Sequence, residues 1–196
     1  MQPTNRDIER FDRQSSGYEA WLSQGVLFNN VHRAVLASIP ADFNPETILD
    51  IGCGTGRLLR KLAVRWPEAQ LIGIDPAEGM IAVARRLTPG VTFYQSMAEK
   101  MPLPDASVDL VTSTVSFHHW QDQAQGVGEV ARVLRPGGYF VLADISVPLG
   151  LWKYSGDGHQ AGPAQVRQMF SQAGLTIKAQ RRALVVFVLI TVGEKT

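Results

Sequence analysis

The chain has 196 residues, 45% hydrophobic and 19% charged, a length suited to one domain with a full core and too short for two. Lys plus Arg number 19 and Asp plus Glu 18, a formal charge of +1, so there is no basic field of the kind that nucleic-acid binding uses. A single cysteine excludes an intrachain disulfide framework and a multi-thiolate metal centre, and no metal site is expected.

No apolar run reaches the roughly 20 residues that span a bilayer. The start, Met1 to Asp7, has no apolar signal core. The expectation is one cytoplasmic domain over 1–196. Its first part, 1–40, reads as a helical cap segment. The polar stretch to about Gln24, with Ile8, Phe11, Tyr18, Trp21 and Leu22, predicts one or two short helices over the core. Phe28, Val31, Val35 and Ile39 then recur at helical spacing, predicting a helix over Leu27–Ile39 that Pro40 ends. His32 reads as a residue on the face of that helix.

From Thr47 the period changes. Thr47–Ile51 is a buried strand, Gly52–Gly56 a turn, and Arg57–Trp66 a helix that Pro67 stops. Gln70–Asp75 is a second strand, and Pro76 opens a helix, a residue suited to a first helical turn. Val91–Gln95 is a third strand and Pro102–Ser107 a loop, with Asp105 in a turn after Pro104. Val108–Ser113 is a fourth strand, followed by a helix over Asp122–Leu134. Pro136-Gly137-Gly138 punctuates the chain before a fifth strand, Tyr139–Ala143. Residues 146–162 form a Gly- and Pro-rich loop. A last unit spans 163–196, with a helix over Pro163–Ala173 capped by Gly174. Two strands follow, Leu175–Arg182 and Leu184–Val192, joined by a tight turn and hence antiparallel. Strands alternating with helices predict an α/β sheet, its main strands parallel and helices on both faces. Ligands in such sheets bind beyond the strand carboxyl ends, where strand order reverses.

The chemistry-bearing residues fall at those ends. Asp50-Ile51-Gly52-Cys53-Gly54-Thr55-Gly56 joins strand to helix, and its glycines let a ligand approach the backbone. A dinucleotide fold spaces its glycines G-x-G-x-x-G for a pyrophosphate. Here the spacing is G-x-G-x-G, and Asp50 would repel a pyrophosphate but suit an ammonium or sulfonium cation. A helix-start turn with no ligand is the competing reading. Asp75, 19 residues past Gly56, can accept from two ribose hydroxyls or serve the next helix as a cap. Phe117-His118-His119-Trp120 follows strand four. Either histidine suits a general base or an acceptor-orienting group, or both merely start the next helix. Cys53, inside the glycine turn, is no attacking thiol. Glu129 and Arg132 read as a helix ion pair.

These stretches, with Leu103 to Val111 and Glu129 to Gly138, resemble the class I S-adenosylmethionine-dependent methyltransferases. The similarity is to the branch of ubiquinone/menaquinone C-methyltransferases and many small-molecule enzymes. It covers a cofactor-binding core at about 45–145. The resemblance implies a Rossmann-like seven-stranded sheet, mostly parallel, of order 3-2-1-4-5-7-6 with the last strand antiparallel. It implies S-adenosyl-L-methionine as cofactor and S-adenosyl-L-homocysteine as product. By position, Asp50 and Gly52, Cys53, Gly54, Thr55 and Gly56 would hold the methionine moiety. Asp75, with Pro76 beside it, would bind the ribose. Met80, Met97 and Ala98 would flank the adenine, and Thr114 would lie near the methionine portion. Many relatives carry an Asp where Met97 stands. Methionine accepts poorly from an amine, and Glu99 is the neighbour that can substitute. Tyr18 and Trp21 resemble the amino-terminal aromatics that cover the cofactor, with Trp21 and Trp120 on the substrate side.

Methyl transfer from a sulfonium needs alignment and exclusion of water more than a catalytic triad. The expected acceptor is a small, partly apolar molecule, not a nucleic acid. The short 146–162 loop leaves closure to the amino-terminal segment, to Leu149-Gly150-Leu151-Trp152 and Tyr154, or to the second subunit of a homodimer. The alternatives weighed are a non-catalytic cofactor-binding or protein-interaction module of the same fold, and a nicotinamide-dependent oxidoreductase.

Overall fold

The computed structural model describes residues 3–15, 22–146, 160–183 and 188–196. Two helices lead, α1 (Pro3–Gln14) and α2 (Leu22–Leu36). The alternation follows: β1 (Thr47–Ile51), α3 (Arg57–Arg65), β2 (Gln70–Asp75), α4 (Glu78–Leu87), β3 (Thr92–Gln95), β4 (Val108–Thr114), α5 (Gln123–Val133) and β5 (Leu134–Ile145). Last come α6 (Pro163–Gln172), β6 (Leu175–Ala183) and β7 (Val188–Lys195).

The strands form one sheet in the order β3-β2-β1-β4-β5-β7-β6. β1 to β5 pair in parallel, and β7 is antiparallel to both of its neighbours. The two-residue strand period sorts the core into two layers. Ile48, Leu110 and Val141 pack with α2, α3 and α4, whereas Leu49, Val111 and Phe140 pack with α5 and α6. β1 is buried at all five positions because both of its faces are covered, so it reads as a continuous apolar run and not as an alternation. Truncating one such side chain to alanine costs about 2–5 kcal/mol.

Sheet order places the binding crevice. β1–α3–β2 and β2–α4–β3 step one way with their helices on one face. β4–α5–β5 steps the other way with its helix on the opposite face. The reversal lies between β1 and β4, so their carboxyl ends diverge into a gap.

Several boundaries differ from the sequence reading. α2 runs earlier, ending at Leu36 and not at Ile39. The residue before a proline avoids the helical region, and the Ser38 hydroxyl donates back to the Ala34 carbonyl at 2.7 Å. Pro76 lies outside α4, whose N-cap is Ala77. Asp75 Oδ1 accepts from the Ala77 amide at 2.9 Å, closing a turn around Pro76. β5 starts at Leu134, directly after α5. Val108 pairs with Leu134 but Leu110 with Tyr139, so Pro136-Gly137-Gly138 is absorbed in a bulge. β7 continues to Lys195. The cap expected at Gly174 is present, with Ala173 ending α6 and Gly174 at φ 78°.

Tyr18, Trp21, the 149–152 stretch, Tyr154, His159, and Leu184 with the expected tight turn lie outside the described residues. Among those described, no helix is long and apolar enough to cross a membrane.

Candidate active site

The turn between β1 and α3 is fixed by backbone geometry. Gly52 has φ 66° and Gly56 φ 78°, a region that residues with a Cβ rarely adopt. A Cβ on Gly52 would lie 2.4 Å from Ser116 Cβ, so the position is closed sterically as well. The Gly52 and Cys53 amides donate to the Ile74 carbonyl at 2.9 and 3.0 Å. The Gly54 amide donates to Asp75 Oδ2 at 2.9 Å. Gly56 is the N-cap of α3 and offers no side-chain cap of its own.

Two carboxylates flank this turn. Asp50 is 2% exposed, and Thr112 Oγ1 donates to its Oδ1 at 2.7 Å. Burial pushes the Asp50 carboxyl up to about 7 despite that hydrogen bond, and the Asp75 charge adds to the rise. Burial likewise pushes Asp75 up to about 6, against the amides of Ala77 and Gly54, with Asp12 adding to the rise. Neither carboxylate forms an ion pair among the described residues. Burial, with both aspartates nearby, raises the Cys53 thiol well above its ordinary value. It stays protonated and is not a nucleophile.

The carboxylates open into a pocket of about 1030 Å³, part of it continuous with solvent. Met80, Met97, Ala98 and Glu99 line one side, and Thr114, Val115, Ser116, His119 and Trp120 another. Ile8 and Phe11 of α1, with Phe28 and His32 of α2, cover it. Asp50, Gly52, Cys53, Gly54, Thr55, Asp75 and Pro76 all border the same space. Gly56 does not; its contribution is the turn. Glu99 Oε1 accepts from the Asp122 amide at 3.0 Å. Its Oε2 is buried without a hydrogen-bond partner among the described residues.

The two histidines part company. His119 borders the pocket and meets the Phe11 ring edge-on at 5.4 Å. His118 does not line it. Its Nδ1 lies 2.8 Å from Asp144 Oδ1, at the end of β5, with both side chains nearly buried. Glu129 and Arg132 are structural. Arg132 makes two bonds to Glu129, at 2.7 and 2.8 Å, and donates to the Leu103 and Met101 carbonyls. This clamps the segment leading from the pocket to β4.

Sequence reasoning missed Ser116, Asp12 and the pocket role of His32. Val115 takes φ 52°, a strained conformation for a β-branched residue, and turns the chain under Gly52. Ser116 Oγ then reaches the Ile51 carbonyl at 3.1 Å. No local pattern announces that bend. Asp12 Oδ1 accepts from the Gly79 amide at 2.8 Å and ties α1 to the start of α4. His32 had a signal, since it stands four residues after Phe28 on one stripe of α2.

Residues 49–142 match the family described as a methyltransferase domain. Over 132 residues the chain is 38% identical to the demethylmenaquinone methyltransferase of Chlorobaculum parvum, covering 65% of this chain and 53% of that protein. The chain spans about half the length of the curated relatives it matches. A chain of the complex between the Haloferax volcanii Trm112 methyltransferase activator and a methyltransferase superposes with a TM-score of 0.80 and 24% identity, over 94% of this chain and 96% of that one. A SAM-dependent methyltransferase from Thermotoga maritima gives 0.75 and 21%, over 95% and 98%. At such identities the two structures show the fold alone, a Rossmann-like one. The family match and the sequence identity add that residues 49–142 are similar to a methyltransferase domain, and the longer stretch to the quinone methyltransferases.

Proposed function

We propose that this chain transfers a methyl group from S-adenosylmethionine to a small, partly apolar acceptor. The observation that carries the reading is the pair of buried carboxylates, Asp50 and Asp75, bracketing a glycine turn at the crevice with no cation paired to either among the described residues. Two buried negative groups fit a cationic, hydroxyl-bearing ligand and oppose a pyrophosphate.

When bound, S-adenosylmethionine supplies a methyl group on a sulfonium. Asp50 and the Gly52–Gly56 turn hold the methionine moiety, with Thr114 beside them. Each Asp75 oxygen accepts one backbone amide and keeps a lone pair for a ribose hydroxyl; Pro76 borders the same place. Met80, Met97 and Ala98 pack on the adenine. Glu99 Oε2, unpartnered among the described residues, accepts from its amine, which Met97 does poorly. Ile8, Phe11 and Trp120 exclude water and give the acceptor an apolar wall. His119 orients the acceptor or takes its proton, and His118 supports it from the Asp144 pairing. α1 and α2 belong to the same working unit as the sheet.

Calorimetry with S-adenosylmethionine, S-adenosylhomocysteine and NAD tests the cofactor. Binding of the first two and not of NAD is expected. Release of S-adenosylhomocysteine with a reduced naphthoquinone as acceptor tests the transfer, since the Chlorobaculum relative is named for demethylmenaquinone. No binding by the folded chain would overturn the reading.

A further inference from the structure

We propose that His32 and the amino end of α3 form an anion corner in this pocket, with His32 Nδ1 donating to the carboxylate of the cofactor's amino-acid part. The inference rests on the cofactor reading above.

His32 is 3% exposed. Its Nδ1 is buried and has no hydrogen-bond partner among the described residues. A buried polar nitrogen left unmatched is costly, and His32 borders the ligand pocket together with Gly54, Thr55 and Arg57. A ligand atom is therefore the partner that this nitrogen lacks.

The sign of that atom follows from the surroundings. The charges acting on His32 are Lys61, Arg57 and Arg60, all on α3. Arg60 is held by the Thr55 carbonyl and Thr88, and Lys61 by Asn29. Arg57 lines the pocket itself. The N-cap of α3, Gly56, supplies no side-chain cap, and the amino end of the helix adds positive potential at the same place. Asp50 supplies the opposite charge in the same pocket. A zwitterionic amino acid thus has an ammonium side at Asp50 and a carboxylate side at His32.

Burial, with those three cations, lowers His32 to about 3. The ring is uncharged at neutral pH and contributes a hydrogen bond, not a counter-charge. An uncharged donor of similar reach should replace it.

The test is calorimetry on the full chain with two probes, S-adenosylhomocysteine and its decarboxylated form, which keeps the ammonium and the nucleoside. His32→Phe should weaken S-adenosylhomocysteine by about tenfold or more, as loss of a hydrogen bond to a charged group does. It should leave the decarboxylated probe within about twofold, a result that also shows the variant is folded. His32→Asn, whose amide can stand where Nδ1 stands, should recover most of the loss. Equal losses for both probes, or for Phe and Asn alike, would mean that His32 only packs, and would overturn the inference. Failure of the unaltered chain to bind either probe would overturn the cofactor reading, and the inference with it.

Discussion

The Gly54 amide donates to Asp75 Oδ2 at 2.9 Å, so the turn after β1 and the end of β2 hold one another in place. Asp75 therefore shapes the glycine turn as well as presenting a carboxylate to the pocket.

That double duty sets the outcome of removing it. Asp75→Ala frees the amides of Gly54 and Ala77 and deletes the acceptor for hydroxyls. Affinity for S-adenosylhomocysteine should fall by about 10-fold to 100-fold, at roughly 1.5–3 kcal/mol for hydrogen bonds to a charged group. Calorimetry reads the loss, and unchanged affinity would remove Asp75 from the site.

The two raised carboxylates predict a pH dependence. Burial holds each carboxyl above its ordinary value of 3.8, Asp75 at about 6 and Asp50 at about 7. The folded chain therefore binds protons that the unfolded chain has released. The stability linked to them is complete below 3.8 and is lost as pH rises through 6 and 7. A cationic ligand favours the ionised forms. S-adenosylmethionine should thus bind more tightly from about pH 5 to about pH 8, by at most about tenfold per pH unit for each group. Asp50→Asn should flatten the upper part of the curve. Affinity that falls over this range would contradict the assignment.

Gly52 and Gly54 should respond unequally to alanine. Both have positive φ, but a Cβ at Gly54 meets open space whereas at Gly52 it strikes Ser116. Gly54→Ala should cost about 1–2 kcal/mol of backbone strain. Gly52→Ala should cost more and displace Ser116, with a larger loss of ligand binding. Urea unfolding beside calorimetry separates the two effects.

Arg132 should matter for stability more than for chemistry. It bridges Glu129, Asp105 and two carbonyls. It is partly exposed, so Arg132→Ala should cost about 1–2 kcal/mol. Arg132→Lys should not restore this, because an ammonium cannot reproduce the fork. Thermal unfolding checks both.

The local pattern of this sequence determined a great deal. β1 and β2 have the expected bounds because short apolar runs between Gly, Pro and Asp leave little choice of period. The Asp50–Gly56 turn and Asp75 were legible because they fall at strand carboxyl ends, where such sheets open a crevice. Other features were decided by contacts distant in sequence. Val115 is strained to tuck Ser116 beneath Gly52, 64 residues earlier. His118 turns to Asp144, 26 residues on, while its neighbour His119 borders the pocket, and no spacing rule could assign which does which. His32 shares a stripe of α2 with Phe28, but only the packing of α2 beside α3 buries its ring against the pocket. Local sequence sets backbone conformation and hydrophobic period. Which polar atoms end up buried together depends on how the sheet order brings the strand ends and covering helices into one place.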